Sequence, residues 1–230
     1  MTKNYWQQFW DEHAVKYCES DPQVQVLRTL NKAPIDTRLW NATLKFIMEQ
    51  LNLQADYNVL DLCCGNGLIS KELALHARSV TAVDISEKLL EQFDTSSFPN
   101  IKKVQKNALT LKIEEESFDV ILMYAGIQYF SPSEAVKLME KVGRWLVPGG
   151  LLYVGDIPDR ERLWTFFNNR EREAAYFRGL QQKEPIVGEW YDFKFLEKLG
   201  SYSGFSKVEK VEQIPEMIYS FFRYDMRLIK

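Results

Sequence analysis

Residues 57–70 read Tyr57-Asn-Val-Leu-Asp61-Leu-Cys63-Cys64-Gly65-Asn-Gly67-Leu-Ile-Ser70: a short apolar run that ends on an acid, then two glycines before a helical pattern. Glycines there let the backbone turn tightly and approach a ligand, with the amides of the next helix behind it. Working outward, Val80–Asp84 is a second strand ending on an acid, 101–105 is extended, and Phe118–Tyr124 (FDVILMY) is a third buried run. Helical patterns at Leu68–Ala77, 87–93 and Glu134–Leu146 fall between them, the last stopped by Pro148-Gly149-Gly150 before another strand, Leu151–Gly155. Strand and helix in alternation predict a doubly wound parallel sheet. In such sheets ligands bind beyond the carboxyl ends of the strands, at the switch point.

On the amino-terminal side, Trp6, Trp10, His13 and Tyr17 form a helical stripe over 4–17, and a second helix is expected near 36–51. The stretch between them, with Pro22 and Pro34, reads as irregular. After the sheet come a long polar helix at about 160–181, a helix–turn–strand unit over 193–211 with turns at Gly200 and Gly204, and a closing strand over 217–229.

The chain has 230 residues, 46% hydrophobic and 27% charged, enough for one domain with a real core and no structural metal. Its three cysteines form no C-x-x-C clip, no metal-ligand cluster stands out, and no apolar run reaches the ~20 residues that span a bilayer. No stretch of signal-peptide character opens the chain, so a reducing, cytoplasmic setting without a membrane is expected. Lys and Arg total 29 against 32 Asp and Glu, which disfavours a nucleic-acid partner. The aromatic content of 13% implies that some rings line a site.

Asp84 falls 17 residues after Gly67, where an acid at a strand end can accept from both hydroxyls of a ribose. The plain alternative is an N-cap for helix 87–93, a task Ser86 can also perform. A dinucleotide turn needs a third glycine where this chain has Ser70, and Asp61 would repel a pyrophosphate. A ligand carrying an amine and a sulfonium suits the acid-bearing loop better.

These motifs resemble the class I S-adenosylmethionine-dependent methyltransferases. The likeness covers about 57–157: Asp61, Cys63, Gly65 and Gly67 match the acid and three alternating glycines, with Cys63 in place of the first glycine. Asp84 stands at the ribose acid, Asn107-Ala108 at the adenine contact, Phe118–Tyr124 at the fourth motif and Leu146–Gly150 at the turn before the next strand. The resemblance implies an α/β, Rossmann-like, doubly wound and mainly parallel sheet of seven strands, the last antiparallel, with helical N-terminal and inserted caps. One domain, 1–230, would comprise an N-terminal cap (1–52), a cofactor core (57–157), an inserted cap (158–192) and a closing helix and strands (193–230). It implies S-adenosylmethionine as cofactor, S-adenosylhomocysteine as product, and Tyr17, Asp61, Cys63, Gly65, Gly67, Asp84, Ile85, Asn107, Ala108 and Tyr124 as cofactor residues, Tyr17 beside the methionine carboxylate.

Methyl transfer from a sulfonium is an in-line displacement, so the protein mainly aligns the acceptor and excludes water. Tyr129 and Asp156 are the catalytic candidates; packing under the next helix and helix capping are their plain alternatives. Gln128, His13 and Arg170 are candidate acceptor contacts, Arg170 as a carboxylate or phosphate clamp or as a snorkelling surface residue. Charges over 159–184 number six basic and five acidic, a solvated cap. The expected activity is methylation of an oxygen or nitrogen on a small molecule, a sugar or secondary metabolite. An RNA or protein methyltransferase and a non-catalytic cofactor-binding module are the alternatives, with a nicotinamide oxidoreductase behind them.

Overall fold

The computed structural model describes residues 5–184 and 186–230; position 4, where the first predicted helix begins, and Pro185 of the inserted segment lie outside the described residues. The helices are α1 (Tyr5–Lys16), α2 (Pro22–Gln25), α3 (Thr37–Leu51), α4 (Ser70–His76), α5 (Glu87–Gln92), α6 (Pro132–Trp145), α7 (Leu163–Phe166), α8 (Arg170–Gln182) and α9 (Phe193–Tyr202). Among the described residues the main sheet has seven strands: β1 (Asn58–Leu62), β2 (Ser79–Asp84), β3 (Ile101–Gln105), β4 (Phe118–Tyr124), β5 (Leu146–Pro158), β6 (Lys207–Val211) and β7 (Arg223–Ile229). Their order across the sheet is β3-β2-β1-β4-β5-β7-β6. The first five pair in parallel, and β7 runs antiparallel between β5 and β6. Chain order reverses between β1 and β4, so the ends of these strands open into one crevice.

Strand β4 shows why the parallel strands read as unbroken apolar runs. Ile121 and Met123 pack with α6 and α9, while Val120, Leu122 and Tyr124 pack with α3 and α4, so both faces are covered. Helix starts follow local chemistry. The Asp36 carboxylate accepts from Arg38 N–H at 2.8 Å, and Ser131 and Glu134 form a capping box ahead of α6. Ser86 caps α5, accepting from Leu89 N–H, which leaves Asp84 free for another task.

Several boundaries differ from the expectation. The helix predicted over 160–181 is a 3-10 turn at Arg160–Arg162, then α7 and α8, because the Asn169 side chain accepts from Arg172 N–H and starts a new helix. Gly200 is not a turn: it lies inside α9, where a β-carbon would sit 2.7 Å from Leu228. Strand β5 extends in both directions beyond 151–155, whereas turns occupy 217–222 and the closing strand begins at Arg223. The irregular stretch holds α2, set by Asp21 as cap and Pro22 at the first helical position, and a two-residue hairpin.

Helix α1 crosses α5, fastened by Ser86 Oγ donating to Asp11 at 2.7 Å and Gln92 Nε2 donating to the Ala14 carbonyl at 2.7 Å. This brings the amino-terminal end of its aromatic stripe to the carboxyl edge of the sheet. Three non-glycine residues at strand ends there, Cys63, Ala125 and Asp156, take φ of 61°, 53° and 61°. Gly67 takes φ of 77°, and a β-carbon on it would lie 2.2 Å from the Phe93 ring. Gly67→Ala is therefore expected to lower unfolding stability by roughly 2–4 kcal/mol in urea titrations, from overpacking and the left-handed backbone.

Candidate active site

The carboxyl ends of β1, β2 and β4 open into a cleft of about 1090 Å³, solvent at its mouth included. Asp61, Cys63 and Gly65 contribute from β1 and its turn, Asp84 and Ile85 from β2, Asn107 and Ala108 from beyond β3, and Tyr124 from β4. Trp6 and Trp10 of α1, Arg28, Trp40, Tyr129 and Phe130 complete its walls.

Both acids are buried. Asp84 accepts from Gly65 N–H on one oxygen and Ser86 N–H on the other, each at 2.8 Å, which leaves lone pairs for a ligand's hydroxyls. Burial pushes its carboxyl up to about 6 against the pull of these amides, and Asp11 raises it further. Asp61 accepts from Ser70 Oγ at 2.5 Å; burial raises it to about 7, with a contribution from Asp84. Among the described residues no cation pairs with either acid. A cationic ligand would relieve that.

The turn divides its work. Gly65, φ 59°, lines the cleft, whereas Gly67 packs against Phe93 and does not. Cys63 adopts the left-handed backbone of the glycine it replaces and tucks beneath Gly126; burial pushes its thiol well up, so it stays neutral. Asn107 turns its Oδ1 to Leu109 N–H, and Ala108 is buried in the wall. The Tyr129 ring lies 4.7 Å from Trp6 and 5.8 Å from Trp10, and burial raises its hydroxyl far above neutrality. It remains protonated and can donate.

Residues 59–150 match a family profile described as a methyltransferase domain. Over 114 residues, 47% of this chain, it is 33% identical to a demethylmenaquinone methyltransferase of Staphylococcus aureus and covers 46% of that protein. The chain thus spans about half the length of the curated relatives it matches first. A SAM-dependent methyltransferase of Methanosarcina mazei superposes with a TM-score of 0.57 at 23% identity, over 80% of this chain and 94% of that one. A Haemonchus contortus phosphoethanolamine N-methyltransferase, solved with phosphoethanolamine and S-adenosylhomocysteine, gives 0.69 at 16% identity over 96% and 47%. Over residues 59–150 the chain is similar to methyltransferases, and it shares the fold of these solved structures.

Six predicted residues stand outside the lining of this cleft: Gly67, His13, Tyr17, Gln128, Asp156 and Arg170. His13 packs between Phe9 and Tyr17, its Nε2 3.1 Å from the Val24 carbonyl. Gln128 is buried, its carbonyl accepting from Glu189 N–H. Arg170 is exposed at the start of α8, away from the cleft. Asp156 corrects the catalytic expectation. Its Oδ2 is shared by Arg28 Nη1 at 2.5 Å and Arg223 Nη1 at 2.9 Å, and its Oδ1 takes Gln213 Nε2 at 3.2 Å. Burial would raise its carboxyl, but Arg223 and Arg28 outweigh this and hold it below the usual range. It is an ion-pair hub, unsuited to accept a proton.

The sequence reading missed Arg28, Asn66 and Trp40 in the cleft wall and Ser70 behind Asp61. Ser70 carried a signal, a hydroxyl where a dinucleotide turn has glycine; Arg28 carried none, standing in a segment without periodicity. Among the described residues no helix is long and apolar enough to cross a membrane.

Proposed function

We propose that the chain moves a methyl group from S-adenosylmethionine to an oxygen or nitrogen of a small molecule, within a single domain whose 1–52 and 158–192 segments cap the 57–157 core. The observation that carries this is the pair of buried, cation-less acids, Asp61 and Asp84, at neighbouring strand ends of one cleft. S-adenosylmethionine fits the residues present: ribose hydroxyls suit Asp84, positive charge suits Asp61, and the buried Oδ1 of Asn66 lacks a partner among the described residues. When bound, it supplies a methyl group on a sulfonium, open to in-line displacement.

The protein's part is alignment and exclusion of water. Trp6, Tyr129 and Phe130 form an apolar wall suited to a planar or apolar acceptor, with the Tyr129 hydroxyl as a donor. The demethylmenaquinone named for the Staphylococcus aureus relative is a small-molecule acceptor, which supports this class over RNA or protein. Three unpaired cysteines suit a reducing, cytoplasmic setting.

Calorimetry with S-adenosylmethionine, S-adenosylhomocysteine and NAD tests the reading. Micromolar binding of the two adenosyl ligands and none of NAD is expected; binding of NAD alone sinks it. Labelled methyl then enters a small-molecule fraction of cell extract, and label confined to RNA or protein overturns the acceptor class.

A further inference from the structure

We infer that Arg28 receives the α-carboxylate of the methionyl part of S-adenosylmethionine, and that Asn66 Oδ1 accepts from its α-ammonium. The inference rests on the cofactor reading above and assigns two residues to it.

Arg28 and Arg223 share the single carboxylate of Asp156. The neighbouring Asp225 is occupied otherwise, accepting from the Tyr153 hydroxyl, Asp156 N–H and Gln213 Nε2. Two guanidinium groups thus share one directly paired carboxylate oxygen in a place where water is scarce, and buried donors left without an acceptor are unfavourable. Arg28 is the member of the pair that lines the cleft, with its side chain 12% exposed.

Arg28 uses Nη1 on Asp156; among the described residues its Nε and Nη2 hydrogens meet no protein acceptor. The guanidinium lies over the Tyr124 ring at 4.7 Å, which holds the plane and leaves an edge to offer. A planar edge with two donors matches a carboxylate. Tyr219 steadies the segment, its hydroxyl donating to the carbonyls of Leu27 and Thr29.

Asn66 spends its Nδ2 hydrogens on the Pro22 carbonyl at 2.9 Å and Gln25 Oε1 at 2.8 Å, which fixes the amide's orientation and stitches the loop to the segment bearing Arg28. Its Oδ1 is buried in the wall of the cleft without a donor. An ammonium supplies one. The cleft therefore holds a negative pole at Asp61 and Asp84 and a positive pole at Arg28, the charge order of a sulfonium-bearing amino acid.

Calorimetry on the full chain separates the parts, using S-adenosylhomocysteine, its decarboxylated analogue and 5′-methylthioadenosine. Arg28→Ala is expected to weaken S-adenosylhomocysteine roughly 10- to 100-fold, as one charge-assisted contact would, and to leave the other two ligands within twofold; Arg28→Lys recovers part of the loss. In the unmutated chain the decarboxylated analogue binds tighter than methylthioadenosine, through its ammonium. Equal weakening of all three ligands by Arg28→Ala makes the arginine a strut of the cap and overturns the proposal, as does an unchanged affinity for S-adenosylhomocysteine. An unmutated chain that binds none of the three overturns the cofactor reading itself.

Discussion

Asp156→Ala lowers unfolding stability by about 3–5 kcal/mol, the loss typical of stranding a buried charge. The reason is the two guanidinium groups left behind: Arg28 and Arg223 lose their shared carboxylate while still enclosed by Tyr124, Tyr219 and Phe222. For a chain of this size the melting temperature falls by roughly 6–20 °C. Replacing the second partner as well, as Asp156→Ala with Arg223→Met, recovers part of the loss, because it removes one stranded cation. The pH dependence has a definite sign. The Asp156 carboxyl is held below its ordinary 3.8, so its stabilisation is complete above that value and disappears as pH falls through the native one. Variant and parent therefore converge in stability on acidification. A single variant that melts within 2 °C of the parent at pH 7 refutes the ion-pair hub.

Asp84→Ala reduces affinity for S-adenosylhomocysteine by two to three orders of magnitude, read by calorimetry. Two charge-assisted hydrogen bonds to the ribose account for most of this; the rest comes from the Gly65 amide, which loses its acceptor and with it the shape of the turn. Asp84→Asn keeps one acceptor oxygen and falls between. The same acids set the response to pH. Asp84 and Asp61 titrate at about 6 and about 7 in the fold against an ordinary 3.8. A raised carboxyl favours folding below 3.8, and that benefit is lost as pH climbs to about 7. The ligand-free protein should thus melt lower at pH 8 than at pH 5. Affinity for the cationic S-adenosylmethionine moves the other way, rising over that window as both acids ionise, and it rises less for the uncharged sulfur of S-adenosylhomocysteine. A ligand-induced shift in melting temperature that is flat from pH 5 to 8 contradicts the assignment of both acids.

The central sheet was legible because its strands are buried on both faces, so apolar runs such as Phe118–Tyr124 announce themselves without periodicity. Asp61 and Asp84 followed from position, since both stand at strand ends beside a glycine turn. The same rule placed too much on Asp156, whose partners arrive from 67 and 128 residues away and are invisible to local reading. Arg28 was missed for the converse reason. The α1 stripe shows what periodicity omits: at 1.5 Å per residue, Trp6 and Tyr17 stand about 16 Å apart along the axis. One end reaches the cleft and the other packs beyond it. In the inserted cap, the Asn169 side chain outweighed the helical pattern through which a single element was read.

The left-handed residues at the strand ends bear on how this protein tolerates mutation. A β-carbon in that conformation costs about 1–2 kcal/mol, whereas glycine's extra freedom in the unfolded chain costs about 0.5–1. Backbone energetics alone make glycine neutral or favourable at Cys63, Ala125 and Asp156, and the side chains decide among them. Ala125 gives up one methyl group and Cys63 a small neutral thiol, while Asp156 gives up the anchor of two arginines. In a mutational scan this edge of the sheet would accept glycine at two of these positions and refuse it at the third. Selection for new acceptors therefore has two permissive positions to reshape, after neighbouring strands and to one side of a fixed electrostatic post.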